Sequence, residues 1–131
     1  MKIDTTNQTP AFTKIMTGSV VAKLRKKAEY TTIELCKIMR KHPSNWNKIE
    51  RGNLNLTMHD LMIFLDVTKN TFLEFQNEIL DFKCLFQFLA KENPEFTQHE
   101  NLMFCRKCYI YSDMAKNKRI QVRDAALKVR V

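Results

Sequence analysis

The sequence predicts an all-α protein, and three observations lead to this class. The 131 residues are 44% hydrophobic but include only two Gly and three Pro, whereas a sandwich of short strands needs turn residues about every ten positions. Apolar residues recur at intervals of three and four over most of the chain, the spacing of one helical face. Cap and stop residues divide that pattern into helix-sized segments.

The same features exclude a membrane protein. No apolar run approaches the ~18 residues needed to cross a bilayer. The first ten residues lack the pattern of a signal peptide. We therefore expect a cytoplasmic protein without a membrane partner.

Charge is divided into three blocks along the chain. Residues 1–58 carry eleven Lys or Arg against four Asp or Glu, residues 59–100 carry three against eight, and residues 101–131 carry eight against two. Such blocks favour separate faces for separate partners, and a basic block is suited to a polyanion.

Patterns for catalysis or metal binding are not evident. Gly18 and Gly52 lie too far apart for a phosphate-binding loop, and the three His are scattered. Cys105 and Cys108 have a metal-like spacing but lack two further ligands nearby, and they also fall on an apolar helical stripe. We expect free thiols that pack in a core, with no catalytic site, metal or cofactor.

The first half of the chain divides into an arm and two helices. Residues 1–16 are rich in Thr, Asn and Gln and lack clear periodicity, so a flexible arm is predicted there. A first helix over 18–28 is followed by a second over 32–40. The start of the second helix is indicated by Thr31 and Glu34, which have the spacing of a capping box.

A third helix is predicted over 43–51. Pro43 suits its first position and Gly52 suits the position after its last turn. Trp46 and Ile49 fall on one face, with polar residues on the others. Because only residues 41–42 separate the second and third helices, the pair has the pattern of a helix-turn-helix. Thr57 is predicted to cap a fourth helix that continues to about residue 65.

Residues 19–72 resemble the phage-repressor-like (Xre/Cro) helix-turn-helix family. The resemblance is carried by three segments of this sequence: Val21-x-x-Leu24-Arg25, Thr31-Thr32 with Leu35-Cys36, and Trp46-x-x-Ile49-Glu50-Arg51-Gly52. Residues 61–67 also match the family's fourth helix and the turn after it. The resemblance implies a lambda-repressor-like bundle at 17–69 and an ion pair between Arg25 and Glu50. Arg40 replaces the family's usual turn Gly, which predicts altered turn geometry or a longer second helix.

The resemblance also implies a surface for DNA. In this fold the start of the third helix enters the major groove. The implied base contacts are Pro43, Ser44, Asn45, Asn47 and Lys48. The implied phosphate contacts are Thr31, Thr32, Arg40, Lys41, Arg51 and Asn53.

Residues 70–131 are predicted to form a C-terminal helical region. A long helix from residue 72 to just before Asn93-Pro94 carries an apolar seam, which consists of Phe72, Phe75, Ile79, Phe82, Phe86 and Leu89. A second helix over 95–115 could cover part of this seam within one chain. A symmetric dimer interface is the other possibility, and it is favoured because recognition helices read few base pairs each and work in pairs. The basic tail at 116–130 fits either a phosphate contact or a solvated surface.

Two functions are consistent with these patterns. The first is a homodimeric, sequence-specific regulator of transcription that binds double-stranded DNA, with repression favoured because it needs only occupancy of a promoter. The second is a protein-binding antagonist, such as an antitoxin or inhibitor, whose C-terminal half binds a protein partner while DNA binding serves autoregulation.

Overall fold

The computed structural model describes residues 10–111, over which the chain forms six helices and no strand. The helices are α1 (Pro10–Lys27), α2 (Thr32–Met39), α3 (Pro43–Glu50), α4 (Met58–Thr68), α5 (Phe72–Glu92) and α6 (Gln98–Tyr111). The predicted all-α class is confirmed for this part of the chain. The predictions for residues 1–9, for the end of the last helix and for the basic tail at 116–130 lie outside the described residues.

Helix α1 begins at Pro10, so the prediction of an arm up to residue 16 is wrong for residues 10–16. Phe12, Ile15 and Met16 are buried, and the Phe12 ring meets Phe86 of α5 edge-on with 5.0 Å between centroids. Polar residues such as Thr13 separate these apolar side chains and weaken the periodicity in the sequence. These three apolar residues, which were expected in the arm, therefore extend the core.

Thr31 and Thr71 are the N-caps of α2 and α5. Thr31 Oγ1 accepts from the Glu34 backbone N–H, and Glu34 Oε1 accepts from the Thr31 N–H, which confirms the predicted capping box. These hydrogen bonds lower the pKa of the Glu34 carboxyl. Thr71 and Glu74 form a second capping box at the start of α5, which the sequence analysis missed although the spacing is the same.

The apolar seam of α5 lies in the interior of the monomer. Phe82 is fully buried, and its ring meets Tyr109 of α6 edge-on at 5.4 Å. Helices α1 and α6 pack on α5 and supply this cover. The buried or half-buried members of the seam are Phe75, Ile79, Phe82, Phe86 and Leu89. The prediction that the seam is a dimer interface is therefore wrong for these residues, and Phe72 alone remains half exposed, at 50%.

Helix α6 is tied to the rest of the fold by polar contacts as well. Glu78 of α5 accepts from Lys23 of α1 at 2.7 Å and from the Tyr109 hydroxyl at 2.6 Å. Cys105 is buried in the same core, and Cys108 packs at its edge. Burial raises the pKa of both thiols. One apolar core thus runs from α1 to α6.

None of the helices between residues 10 and 111 combines the length and the apolar character needed to cross a bilayer.

Candidate nucleic-acid interface

The turn between α2 and α3 is formed by Arg40, Lys41 and His42. Helix α2 ends at Met39, and Arg40 takes the left-handed conformation, with φ 57° and ψ 45°. The Lys41 N–H then donates to the Cys36 carbonyl oxygen at 2.9 Å. The expectation of altered turn geometry or a longer second helix is therefore wrong: Arg40 adopts the conformation that favours Gly, at a cost of about 1–2 kcal/mol for an L-residue.

Lys41 joins this turn to α4. Its Nζ lies 2.9 Å from Oδ1 of Asp60, whose side chain is only 6% exposed. The two atoms do not have hydrogen-bond geometry, so the attraction is chiefly electrostatic. Asp60 was not singled out in the sequence, because an acidic residue three positions after Thr57 is ordinary in the first turn of a helix.

His42 caps the N-terminus of α3. Its Nδ1 accepts from the Ser44 backbone N–H at 3.3 Å, and the Ser44 hydroxyl oxygen lies 2.7 Å from the same nitrogen. Pro43 occupies the first turn as predicted. Sequence reasoning missed the cap because His is not among the residues that N-caps prefer.

Trp46 and Ile49 anchor α3 on the core, as the sequence predicts. Both are buried, and the Trp46 ring stacks on Phe64 of α4 with 5.4 Å between centroids. The pattern at the end of the helix also matches expectation, since Gly52 follows the last turn with φ 81°.

The ion pair implied between Arg25 and Glu50 is present, and it is bidentate. Arg25 Nε donates to Glu50 Oε2 at 2.7 Å, and Nη2 donates to Oε1 at 3.0 Å. Trp46 Nε1 also donates to Oε2, at 2.6 Å. The Trp46 bond was not expected, although a spacing of four residues would have suggested it. Together these bonds satisfy a carboxylate that is almost fully buried.

The opposite side of α3 faces solvent with polar side chains. Five residues make up this surface, which we call the recognition face: Pro43, Ser44, Asn45, Asn47 and Lys48. All are exposed except Pro43, which is half buried. Since Trp46, Ile49 and Glu50 occupy the buried side, the helix is divided cleanly into an anchored side and a free side.

The residues implied as phosphate contacts differ in exposure and in whether their side chains already have a partner. Arg40, Arg51 and Asn53 are exposed. Thr31 is exposed but occupied as a cap, and Thr32 is half buried. Lys41 is already paired with Asp60. Arg40 follows the last residue of α2, and Arg51 and Asn53 follow the last residue of α3, so these three lie on either side of the recognition face in the chain.

Within residues 10–111, no cluster of three or more His, Cys, Asp or Glu is arranged to hold a metal ion. Comparisons of the chain with protein-family models, with curated proteins and with solved structures found no match.

Proposed function

We propose that the protein is a sequence-specific regulator of transcription that binds double-stranded DNA and reads the major groove through α3. One observation carries the proposal. Helix α3 is eight residues long, buries Trp46, Ile49 and Glu50 on one side, and presents Ser44, Asn45, Asn47 and Lys48 to solvent on the other. A short, rigidly anchored helix with a polar outer face is the element that helix-turn-helix proteins insert into the major groove.

The side chains of the recognition face suit base edges. The amides of Asn45 and Asn47 can donate and accept at the same time, as bidentate pairing with adenine requires. Lys48 can donate to the acceptors of guanine, and Pro43 offers apolar contact to a thymine methyl. Each good bidentate pair contributes about 1–3 kcal/mol of discrimination between bases.

The surrounding residues suit the phosphate backbone. Arg40 and Arg51 are exposed cations close to the two ends of α3, and Asn53 follows them. The N-termini of helices also attract phosphates. Thr31 and Thr32, at the start of α2, are therefore suited to a phosphate contact. Lys41 contributes less directly, since a contact with phosphate would have to compete with its pairing to Asp60.

A homodimer on a palindromic site forms part of the proposal. One recognition helix reads only a few base pairs, so two copies about 34 Å apart are needed for a specific operator. Because the α5 seam is internal, the two copies need another surface. Phe72, Leu73 and Leu80 on the outside of α5 are 50%, 64% and 51% exposed and provide apolar area for it. Occupancy of a promoter by such a dimer would repress transcription.

The experiment is selection of bound fragments from the source genome, followed by affinity measurements on the selected duplex. A variant combining Ser44→Ala, Asn47→Ala and Lys48→Ala should lose roughly 100-fold or more in affinity, since base contacts are removed. A control that combines His99→Ala with Lys107→Ala, two exposed residues of α6, has the same change in charge and should bind normally. Equal binding by both variants would disprove the recognition face.

The oligomeric state is tested separately. Light scattering on the protein alone should give a dimer that Leu73→Glu with Leu80→Glu converts to a monomer. A wild-type monomer that selects no DNA would instead support the second hypothesis, in which these exposed apolar residues bind a different protein.

A further inference from the structure

A side chain from α6 holds the C-terminal end of α3. Arg106 donates to the Glu50 carbonyl oxygen from both Nε, at 3.3 Å, and Nη2, at 3.2 Å. Arg106 itself is half buried. The contact joins two residues that are 56 positions apart in the sequence, and it connects the helix of the recognition face with a helix that lies outside the segment resembling a helix-turn-helix.

Arg106 supplies a partner for one of the last backbone carbonyls of α3. A helix ends with four carbonyl groups that have no partner within it. Here the Asn47, Lys48 and Ile49 oxygens accept from the backbone N–H groups of Arg51, Asn53 and Gly52, at 3.0, 2.8 and 3.0 Å respectively. The fourth oxygen, on Glu50, accepts from Arg106. The guanidinium therefore completes the C-cap, and its positive charge at a helix C-terminus is favourable.

The same end of α3 is fixed from the side of α1. A methyl group added to Gly18 would overlap the Ile49 carbonyl oxygen, so the two backbones are in direct contact. The Glu50 carboxylate is bound by Arg25 of α1. Glu50 is thus held by α1 through its side chain and by α6 through its carbonyl, and any rotation of α3 would have to break both attachments.

We propose that Arg106 is a positioning residue for the recognition face, which makes α6 a working part of the DNA-binding surface. This inference rests on the proposed function. Helix α3 has only about two turns, so the position of its last carbonyl fixes the orientation of Ser44, Asn47 and Lys48. Side chains that read bases must be held to within about 0.5 Å of their productive positions. Loss of the α6 attachment should therefore weaken the discrimination between sequences.

The test on DNA compares Arg106→Ala, Arg106→Lys and Lys107→Ala. Lys107 is exposed on the same helix, so its removal changes the charge equally without touching α3. Arg106→Ala should reduce affinity for the selected duplex roughly tenfold and leave affinity for a random duplex unchanged. Arg106→Lys should recover much of the loss, because an ammonium can still donate to the Glu50 carbonyl, and Lys107→Ala should bind like the wild type.

Salt dependence separates positioning from direct contact with DNA. A side chain that neutralises one phosphate contributes about 0.9 to the slope of log affinity against log salt. Arg106→Ala should keep the wild-type slope. A slope reduced by about that amount, or equal losses on the selected and random duplexes, would overturn the proposal and identify Arg106 as a phosphate contact.

A second measurement, made without DNA, tests whether Arg106 holds the C-terminal end of α3. Hydrogen exchange of the amides at 51–53 should become faster in Arg106→Ala, with the amides of α4 unchanged. Exchange identical to the wild type, or exchange raised equally in all helices, would overturn the positioning role. If the wild-type protein selects no duplex, the proposed function fails, and this measurement still shows whether Arg106 holds the end of α3.

Discussion

The indole nitrogen of Trp46 lies 2.6 Å from Oε2 of Glu50, one helical turn further along α3. The same oxygen accepts from Nε of Arg25 at 2.7 Å. A buried carboxylate is tolerated only when its oxygens are well satisfied, and here the anchor of α3 and the cation of α1 supply the donors together. The only Trp in the chain therefore reports on this part of the structure through its fluorescence.

Arg25→Ala should strongly destabilise the fold. The change leaves the Glu50 carboxylate buried without its counter-charge, which costs about 3–5 kcal/mol. Urea unfolding followed by Trp46 fluorescence measures the loss. Lys27→Ala removes an exposed cation close by on α1 and should shift the unfolding free energy very little. Equal stability of the two variants would show that Arg25 does not compensate Glu50.

Gly18→Ala should also destabilise the fold, although replacing Gly by Ala within a helix usually stabilises it. In a helix interior Ala is normally preferred to Gly by about 1 kcal/mol. At Gly18 the added methyl would overlap the backbone oxygen of Ile49, and backbone cannot move aside as a flexible side chain can. We expect a loss of about 1–3 kcal/mol, seen as a lower Tm by circular dichroism. A higher Tm would mean that Gly18 of α1 is not in direct contact with the Ile49 carbonyl oxygen of α3.

Phe82→Ala and Phe72→Ala form a matched pair for the seam of α5. Phe82 is fully buried on the side of α5 that meets α6. Phe72 is 50% exposed. Truncation of a buried Phe costs about 3–5 kcal/mol, so Phe82→Ala should lower the unfolding free energy by that amount and Phe72→Ala by much less. If Phe82→Ala instead left the unfolding free energy unchanged and altered only self-association of the protein, the seam would be an interface between chains.

Lys41→Ala tests the attachment of the turn to α4. Without the ammonium, Asp60 remains a buried and uncompensated carboxylate, which costs about 1–3 kcal/mol. Chemical denaturation should show this loss, while Lys37→Ala, an exposed change on α2, should not. The double variant Lys41→Ala with Asp60→Asn should recover part of the stability because the buried charge is also removed. No recovery would indicate that Lys41 contributes through packing alone.

Thiol reactivity should follow burial. Burial raises the pKa of Cys36, Cys105 and Cys108, and it is the thiolate that reacts. Cys36 and Cys105 are also closed to solvent. Mass spectrometry after brief alkylation of the folded protein should find Cys84 modified first, Cys108 later, and the two buried thiols only after unfolding. Early modification of Cys105 would show that α6 opens readily.

The local signals in the sequence predicted the structure between Thr31 and Gly52 well. A capping box, a Pro at the first position of a helix and a Gly after the last turn act within a few residues, so they can be recognised without knowledge of the fold. Trp46 and Ile49 were correctly predicted to be buried, because most other residues of this short helix are polar and these two share one face. The Arg25–Glu50 pair came from the family resemblance rather than from spacing.

Features that depend on distant contacts were missed or misinterpreted. The seam of α5 has the same periodicity whether α1 and α6 cover it or a second chain does, so periodicity could not distinguish these cases. The start of α1 was missed because Thr13, Lys14 and Thr17 interrupt its apolar residues. Arg106 and Asp60 become relevant only when α6 and α4 pack near α3, and no local pattern indicates that.

Helix α1 has a consequence for how the chain can be divided. It contacts α3 through Gly18, α5 through Phe12 and α6 through Lys23, which lies 4.4 Å from the centre of the Tyr109 ring. A fragment cut after residue 69 would expose the surfaces of α1 that α5 and α6 now protect. Residues 10–111 should consequently melt in a single cooperative transition, and a fragment that folds on its own would have to include all six of these helices.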